Sequence, residues 1–249
     1  MKAFLKTSIL FSLFLNKNAS MCAQTAFSKF EIGINAGTFI YQGDLTPSRL
    51  GAYRTLKPDL TIFVNKLINP TFSLRTSLSF GKLKGDDSKY SIPEYRQQRN
   101  FLFKSPVFEV SELIVADLLK NNLTRQYPRL SPYVFAGIGF SFLNINRDWT
   151  RFNAEYFSAE TSTIQGLAAD QQHSPPKLIP VIPLGAGVRY PVSKKISITA
   201  ETSYRFTFTD YLDGFSKAAN DSRKDSYQGH SIGLIYQFGK PSSLKCPSF

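Results

Sequence analysis

Residues 195–208 read KISITAETSYRFTF, and their alternation decides the fold. Ile196, Ile198, Ala200, Tyr204, Phe206 and Phe208 fall on one face of an extended chain, and Ser197, Thr199, Glu201, Ser203, Arg205 and Thr207 on the other, because successive strand side chains point to opposite faces. A soluble sandwich turns such an apolar face inward and a membrane barrel turns it outward, so this segment alone leaves both open.

The same period recurs along the chain. Ile32, Ile34 and Ala36 alternate with Glu31, Gly33 and Asn35; Phe72, Leu74, Leu78 and Phe80 with Ser73, Arg75, Ser77 and Ser79; Val134, Ala136, Ile138, Phe140 and Phe142 with Phe135, Gly137, Gly139 and Ser141. Ile182, Leu184, Ala186 and Val188 alternate with Gly185, Gly187 and Arg189, and Ile232, Leu234, Tyr236 and Phe238 with Ser231, Gly233 and Gln237. Leu60, Ile62 and Val64 mark a weaker segment, and residues 100–118 another, which brings the expected total to eight. In that last segment Phe108, Val110, Ile114, Ala116 and Leu118 share the lipid parity with Glu109 inward, but the same register turns Glu112 outward. A bulge or an early strand end is expected there, since a charge on the lipid face is costly.

The connections decide between sandwich and barrel. Long ones at 42–57, 82–98, 145–178 and 209–226 alternate with Ile68-Asn69-Pro70, a medium stretch at 119–131, and Pro191-Val192-Ser193-Lys194. Long outer loops alternating with short inner turns are the layout of a membrane barrel, and a sandwich has no reason to follow it. Aromatic residues cluster near expected strand ends, at Phe39 and Tyr41, Phe101 and Phe103, Phe140 and Phe142, and Tyr204, Phe206 and Phe208, as in a girdle at the lipid headgroups. The competing reading is an aromatic-rich soluble core, which the 14% aromatic content would also allow. The expected fold is all-β: an eight-stranded antiparallel transmembrane β-barrel with long extracellular loops and short periplasmic turns.

Residues 1–23 have the layout of a secretory signal peptide: Lys2 and Lys6, a short apolar run from Ile9 to Leu15, then small and polar residues. That run is too short for a spanning helix. Met21 before Cys22 departs from a lipoprotein site, which wants a small residue there. The barrel domain is expected at 24–240, with a short tail at 241–249. Removing Lys2, Lys6 and Lys17, with no acidic residue before Ala23, takes the chain from +12 to +9. Such a charge favours anionic partners; for an exported chain these are outer-membrane lipid phosphates rather than nucleic acid. Only Cys246 then remains, so no internal disulfide is expected.

The last strand resembles a barrel-assembly signal, carried by Ser231, Gly233, Tyr236 and Phe238, which implies barrel-assembly machinery as a partner. Other phrases resemble a family. They are Glu31-Ile32-Gly33 with Tyr41-Gln42-Gly43-Asp44-Leu45, Gly81 with Gly85-Asp86-Asp87, Arg99-Asn100 before Glu109, Pro183-Leu184-Gly185-Ala186-Gly187, and Phe208-Thr209-Asp210-Tyr211-Leu212-Asp213. In this order they resemble the PorG-like outer-membrane barrels of gliding and type IX secreting Gram-negative bacteria, over nearly the whole mature chain. Gly214 stands where that family usually has a second acidic residue. The resemblance implies the cell outer membrane as location. It also implies a non-enzymatic structural or assembly role, with periplasmic or outer-membrane secretion components as partners. A passive or gated small channel is the alternative, and a lipid-modifying barrel enzyme a more distant one.

Arg75, Glu109, Arg189, Glu201 and Arg205 all have inward parity and are expected to form a lumenal charge network, because an eight-stranded barrel is just wide enough for side chains to fill. His230 and Ser231 cannot share a hydrogen bond as neighbours on one strand, so no catalytic pair is expected. Asp86-Asp87 and Asp210 with Asp213 lack the ligand spacing of a calcium loop, and Gly137-Ile138-Gly139 and Gly185-Ala186-Gly187 lack the third glycine of a dinucleotide fingerprint. No metal or cofactor is therefore expected. Trp149, Tyr156, Asp210, Tyr211 and Asp213, in the third and fourth long connections, are expected to be extracellular loop contacts.

Overall fold

The computed structural model describes residues 30–120, 129–219 and 224–238; the signal-peptide reading of 1–23, Cys22 within it, and the tail at 241–249 lie outside them. Eight long strands run antiparallel to their neighbours: β1 (Phe30–Gln42), β2 (Lys57–Leu67), β3 (Phe72–Asp86), β4 (Leu102–Asp117), β5 (Ser131–Leu143), β7 (Leu178–Pro191), β8 (Ile196–Thr207) and β9 (Ser226–Gln237). β1 pairs with β9 and β3 with β4, so the sheet has no free edge between its long strands and closes into a barrel.

The four long connections gather at one end, called the top here, and the turns after β2, β4 and β7 at the other. Local side-chain bonds fold two of these turns. Asn69 accepts the N–H groups of Thr71 and Phe72 (2.8 and 2.7 Å), and Ser193 those of Lys195 and Ile196 (3.2 and 3.0 Å), the usual role of Asn and Ser in turns. Three features at the top were not expected from sequence. A ninth strand, β6 (Asn146–Asp148), adds three residues to the top of β4. Helices α1 (Tyr95–Arg99) and α2 (Thr161–Gln172) lie in the long connections. β3 runs on to Asp86 rather than ending near residue 81, so the β3–β4 hairpin, at 15 and 16 residues, projects above β2, which has 11.

The wall inverts the soluble pattern. Ile138, Ile232 and Ile114 point out and are 68%, 66% and 58% exposed, whereas Glu31, Glu109 and Arg75 point in and are buried. Apolar side chains from every long strand form the outer belt, far beyond the few hundred Å² of apolar patch that a protein in water tolerates. With the backbone paired all round, this is a wall built for lipid. Among the described residues no helix is long and apolar enough to cross a membrane.

One expectation is corrected. The β3–β4 ladder is unbroken from Phe72↔Ala116 to Asp86↔Leu102, with Thr76 opposite Glu112, so there is neither a bulge nor an early strand end. Glu112 stays on the outer face, where the Thr76 hydroxyl donates to its carboxylate at 2.7 Å.

Candidate functional site, the lumenal plug and its cap

The pleat that sends isoleucines outward sends three arginines into the bore. Gly33 is what admits the first of them: a Cβ there would lie 2.1 Å from the Phe63 ring, so its absence lets Phe63 lie across the lumen. Phe63 in turn carries the Arg75 guanidinium 4.2 Å from its ring centroid, with Phe135 and Tyr133 on other sides at 5.5 and 5.7 Å. Arg75 donates to Glu201 at 2.8 Å and to Asn65 at 2.9 Å. Glu201 also accepts from Tyr133 at 2.6 Å and from Asn35 at 2.9 Å. Nearer the top, Arg205 reaches Glu109 at 3.2 Å over the rings of Phe39 and Tyr227, and Tyr227 donates to the same carboxylate at 2.6 Å. Nearer the bottom, Arg189 meets Glu31 at 3.3 Å, and Asn65 also donates to Glu31 at 2.9 Å.

The structure thus brings together all five residues read as a lumenal network, and adds Glu31, Asn35, Asn65, Tyr133 and Tyr227. Inward parity was a signal for these five too. A buried charge is tolerated when it is paired, and each of the three arginines has its glutamate, at three heights; Arg75 Nη2 and Arg189 Nε are buried without a further hydrogen-bond partner among the described residues. Between the upper two lies a cavity of about 30 Å³, lined by Asn35, Arg75, Glu109, Glu201 and Arg205 among others. That is the scale of a water molecule rather than of a conduit.

Above the plug, the long connections pack into a cap. Asp87 is fully buried and binds Arg96 at 2.9 Å and Arg99 at 2.7 Å; both arginines also donate to the Asp44 carbonyl, at 2.8 and 3.0 Å. One carboxylate and one carbonyl so join the first two connections. Burial alone would lower Arg99, but Asp87 beside it raises it above the usual arginine value. Asp170 on α2 joins the other two connections: it accepts the N–H groups of Ser216, Lys217 and Ala218 at 3.1, 3.1 and 2.9 Å. Phe101 stacks on Phe215 with centroids 4.3 Å apart, which ties the two halves of the cap together.

Of the five expected loop contacts, Tyr156 is exposed, and Asp210 and Tyr211 are half-buried. Trp149 packs edge-on against Phe215 at 6.3 Å, and Tyr211 stacks on His173 at 4.0 Å. Asp213 is a correction: it is buried, taking the Tyr41 hydroxyl at 2.6 Å and the Phe215 N–H at 2.8 Å, and so presents nothing outward. Burial pushes Asp213 and Asp225 well above the usual carboxylate range; Asp44 adds to this for both, while the hydrogen bond from Tyr41 opposes it. Gly214 next to it has φ +84°, and a Cβ there would lie 2.3 Å from Arg147 Cδ, so an acidic residue in its place would clash as well as strain.

The remaining candidates are placed as follows. Asp86 is bridged to Lys84 at 2.8 Å and Asp87 to its two arginines, so this acidic pair is already matched by cations of the chain. Among the described residues no group of His, Cys, Asp and Glu is arranged to hold a metal ion. His230 lies opposite Thr202, which it contacts at 2.9 Å, and contacts Tyr53 at 3.1 Å. Tyr236 in β9 and Phe238 just after it are exposed and meet edge-on at 5.2 Å, while Ser231 and Gly233 have the opposite parity.

A family model described as a domain of unknown function, DUF6089, matches residues 6–240. No curated protein matches the chain. Among solved structures it is similar to Neisserial surface protein A, at 14% identity and a TM-score of 0.47 over 85% of this chain and 98% of that one. It is similar as well to Ail, the attachment invasion locus protein of Yersinia pestis, at 13% identity and 0.44 over 84% and 97%. A major outer membrane protein from Thermus thermophilus matches at 11% identity and 0.45 over 84% and 99%.

Proposed function

This chain belongs to the DUF6089 family, and from that premise we propose that it is an outer-membrane barrel acting as a structural or assembly component of an envelope machine, such as that of type IX secretion. It works in this reading through its surfaces, not through a lumenal path or a catalytic group. The observation that carries the proposal is the plug: three arginines, each paired with a glutamate and laid over aromatic rings, fill the bore at three heights. A barrel closed in this way offers partners its lipid-facing wall, its bottom turns and its cap.

The PorG-like resemblance supports the same reading from another direction. Several residues that carry it, Asp44, Asp87, Arg99 and Asp213, are those that bind the connections to one another and to β1. The likeness is therefore to a way of building the cap. The assembly role is tested by affinity capture of the intact barrel from its native membrane after mild solubilisation. Co-recovery of periplasmic type IX secretion components is the expected result, and recovery of the barrel alone would contradict the role.

A further inference from the structure

The projecting β3–β4 hairpin carries an arrangement that neither the plug nor the cap uses. Lys84 and Lys104 stand directly opposite each other on neighbouring strands, an arrangement that costs stability because like charges face each other. Lys82 follows on the same outer face opposite Pro106, and Lys57 from the start of β2 lines the same groove, whose volume is about 630 Å³. Lys84 is bridged to Asp86 at 2.8 Å. No salt bridge holds Lys57, Lys82 or Lys104 among the described residues; Asp148, at the end of β6, feels Lys104 only at longer range.

Directly below, the wall changes character. Phe80, Phe108 and Phe142 form a row on the outer face, with centroids 4.9 and 5.7 Å apart. They line a second groove of about 440 Å³, and Pro106 and Asn144 border both grooves, so the two are continuous. The cations lie just above the aromatic row that ends the apolar belt, and an apolar trough runs down from them. An amphiphile with a phosphate head and an acyl chain has the matching shape and charge: phosphate oxygens accept from ammonium groups, and the chain covers the rings.

We propose that this wall of β2, β3 and β4 binds an outer-leaflet glycolipid, its phosphate held by Lys57, Lys82 and Lys104 and one acyl chain laid on Phe80, Phe108 and Phe142. Bound phosphate would also relieve the repulsion between Lys84 and Lys104. The proposal rests on the membrane reading above. Its test uses the full barrel in neutral detergent, with diphosphorylated lipid A, the same lipid without phosphates, and inorganic phosphate as probes, and lipid retention read by native mass spectrometry. Lys82→Ala with Lys104→Ala removes two charge-assisted contacts to the phosphate and should weaken retention by about tenfold or more. Lys66→Ala, at the opposite end of β2, should leave it unchanged. Heat-modifiable mobility on a gel establishes that each variant is folded. Equal retention by the double variant, or of the phosphate-free lipid, would overturn the proposal, and so would tight binding of inorganic phosphate alone. A barrel that fails to insert into liposomes would instead remove the membrane reading itself.

Discussion

In the lumen, Arg75, Arg189 and Arg205 meet Glu201, Glu31 and Glu109 across the bore, every partner held by a regular strand. In the cap, Arg96 and Arg99 meet Asp87 within one connection, and Asp170 holds backbone N–H groups of another. Both regions bury charge, but their relation to water differs. A lumenal arginine deprived of its partner cannot reach solvent without parting the wall, whereas a loop can lift and hydrate its charges while the barrel stays closed. Loss of a partner should therefore act globally in the bore and locally in the cap.

The largest effect is expected from Glu201→Ala, which leaves the Arg75 guanidinium buried beside Tyr133 and Asn65 without its carboxylate. We expect a loss of about 3–5 kcal/mol, read from guanidinium unfolding followed by heat-modifiable mobility. A loss near that of an exposed pair, under about 1 kcal/mol, would mean that water reaches Arg75 and would erase the distinction. Next comes Ala200→Arg on the outer face one residue away, which should cost about 2–4 kcal/mol near the bilayer midplane. A neutral result there would place the outer face in water and return the fold to the soluble alternative.

A smaller and local effect is expected in the cap. Asp170→Asn leaves backbone donors of residues 216–218 poorly matched, at a cost of about 1–3 kcal/mol. It should appear as faster proteolysis within the two connections joined by Asp170, with the barrel's own unfolding midpoint unchanged. If the midpoint instead falls with the loops, cap and plug form one cooperative unit. The smallest effect is that of pH. Asp213 and Asp225 titrate above the unfolded value of about 3.9, so their contribution to holding the cap is fully present below that value and is lost as pH rises through their folded pKa values. Protection of the fourth connection against hydrogen exchange, corrected for intrinsic rates, should be greater at mildly acidic than at alkaline pH. Asp213→Asn with Asp225→Asn should flatten the profile; an unchanged profile would assign the dependence to other groups.

The same contrast explains what was legible in the sequence. A strand writes its environment into every second residue, so the outward Ile198 and Ala200 and the inward Glu201 and Arg205 could be read from residues 195–208, and the bore could be assembled on paper from parity. Parity also puts Glu112 on the correct face; what it could not supply was the partner Thr76 on the neighbouring strand, and a break was expected where a hydrogen bond sits. The cap has no such period. Asp170 finds Ser216 across 46 residues, and Tyr41 finds Asp213 across 172, and no local pattern announces a carboxylate destined for another loop's backbone. Asp213 looked like a solvated loop acid for that reason.

The central claim is that the bore is closed, and conductance tests it most directly. The purified barrel in a planar bilayer should carry little stable current. Arg75→Ala should destabilise the protein without abolishing an existing conductance, because none is expected to exist. Reproducible current through the unaltered chain that disappears or changes selectivity on Arg75→Ala would contradict the account and make the arginine ladder the lining of a channel.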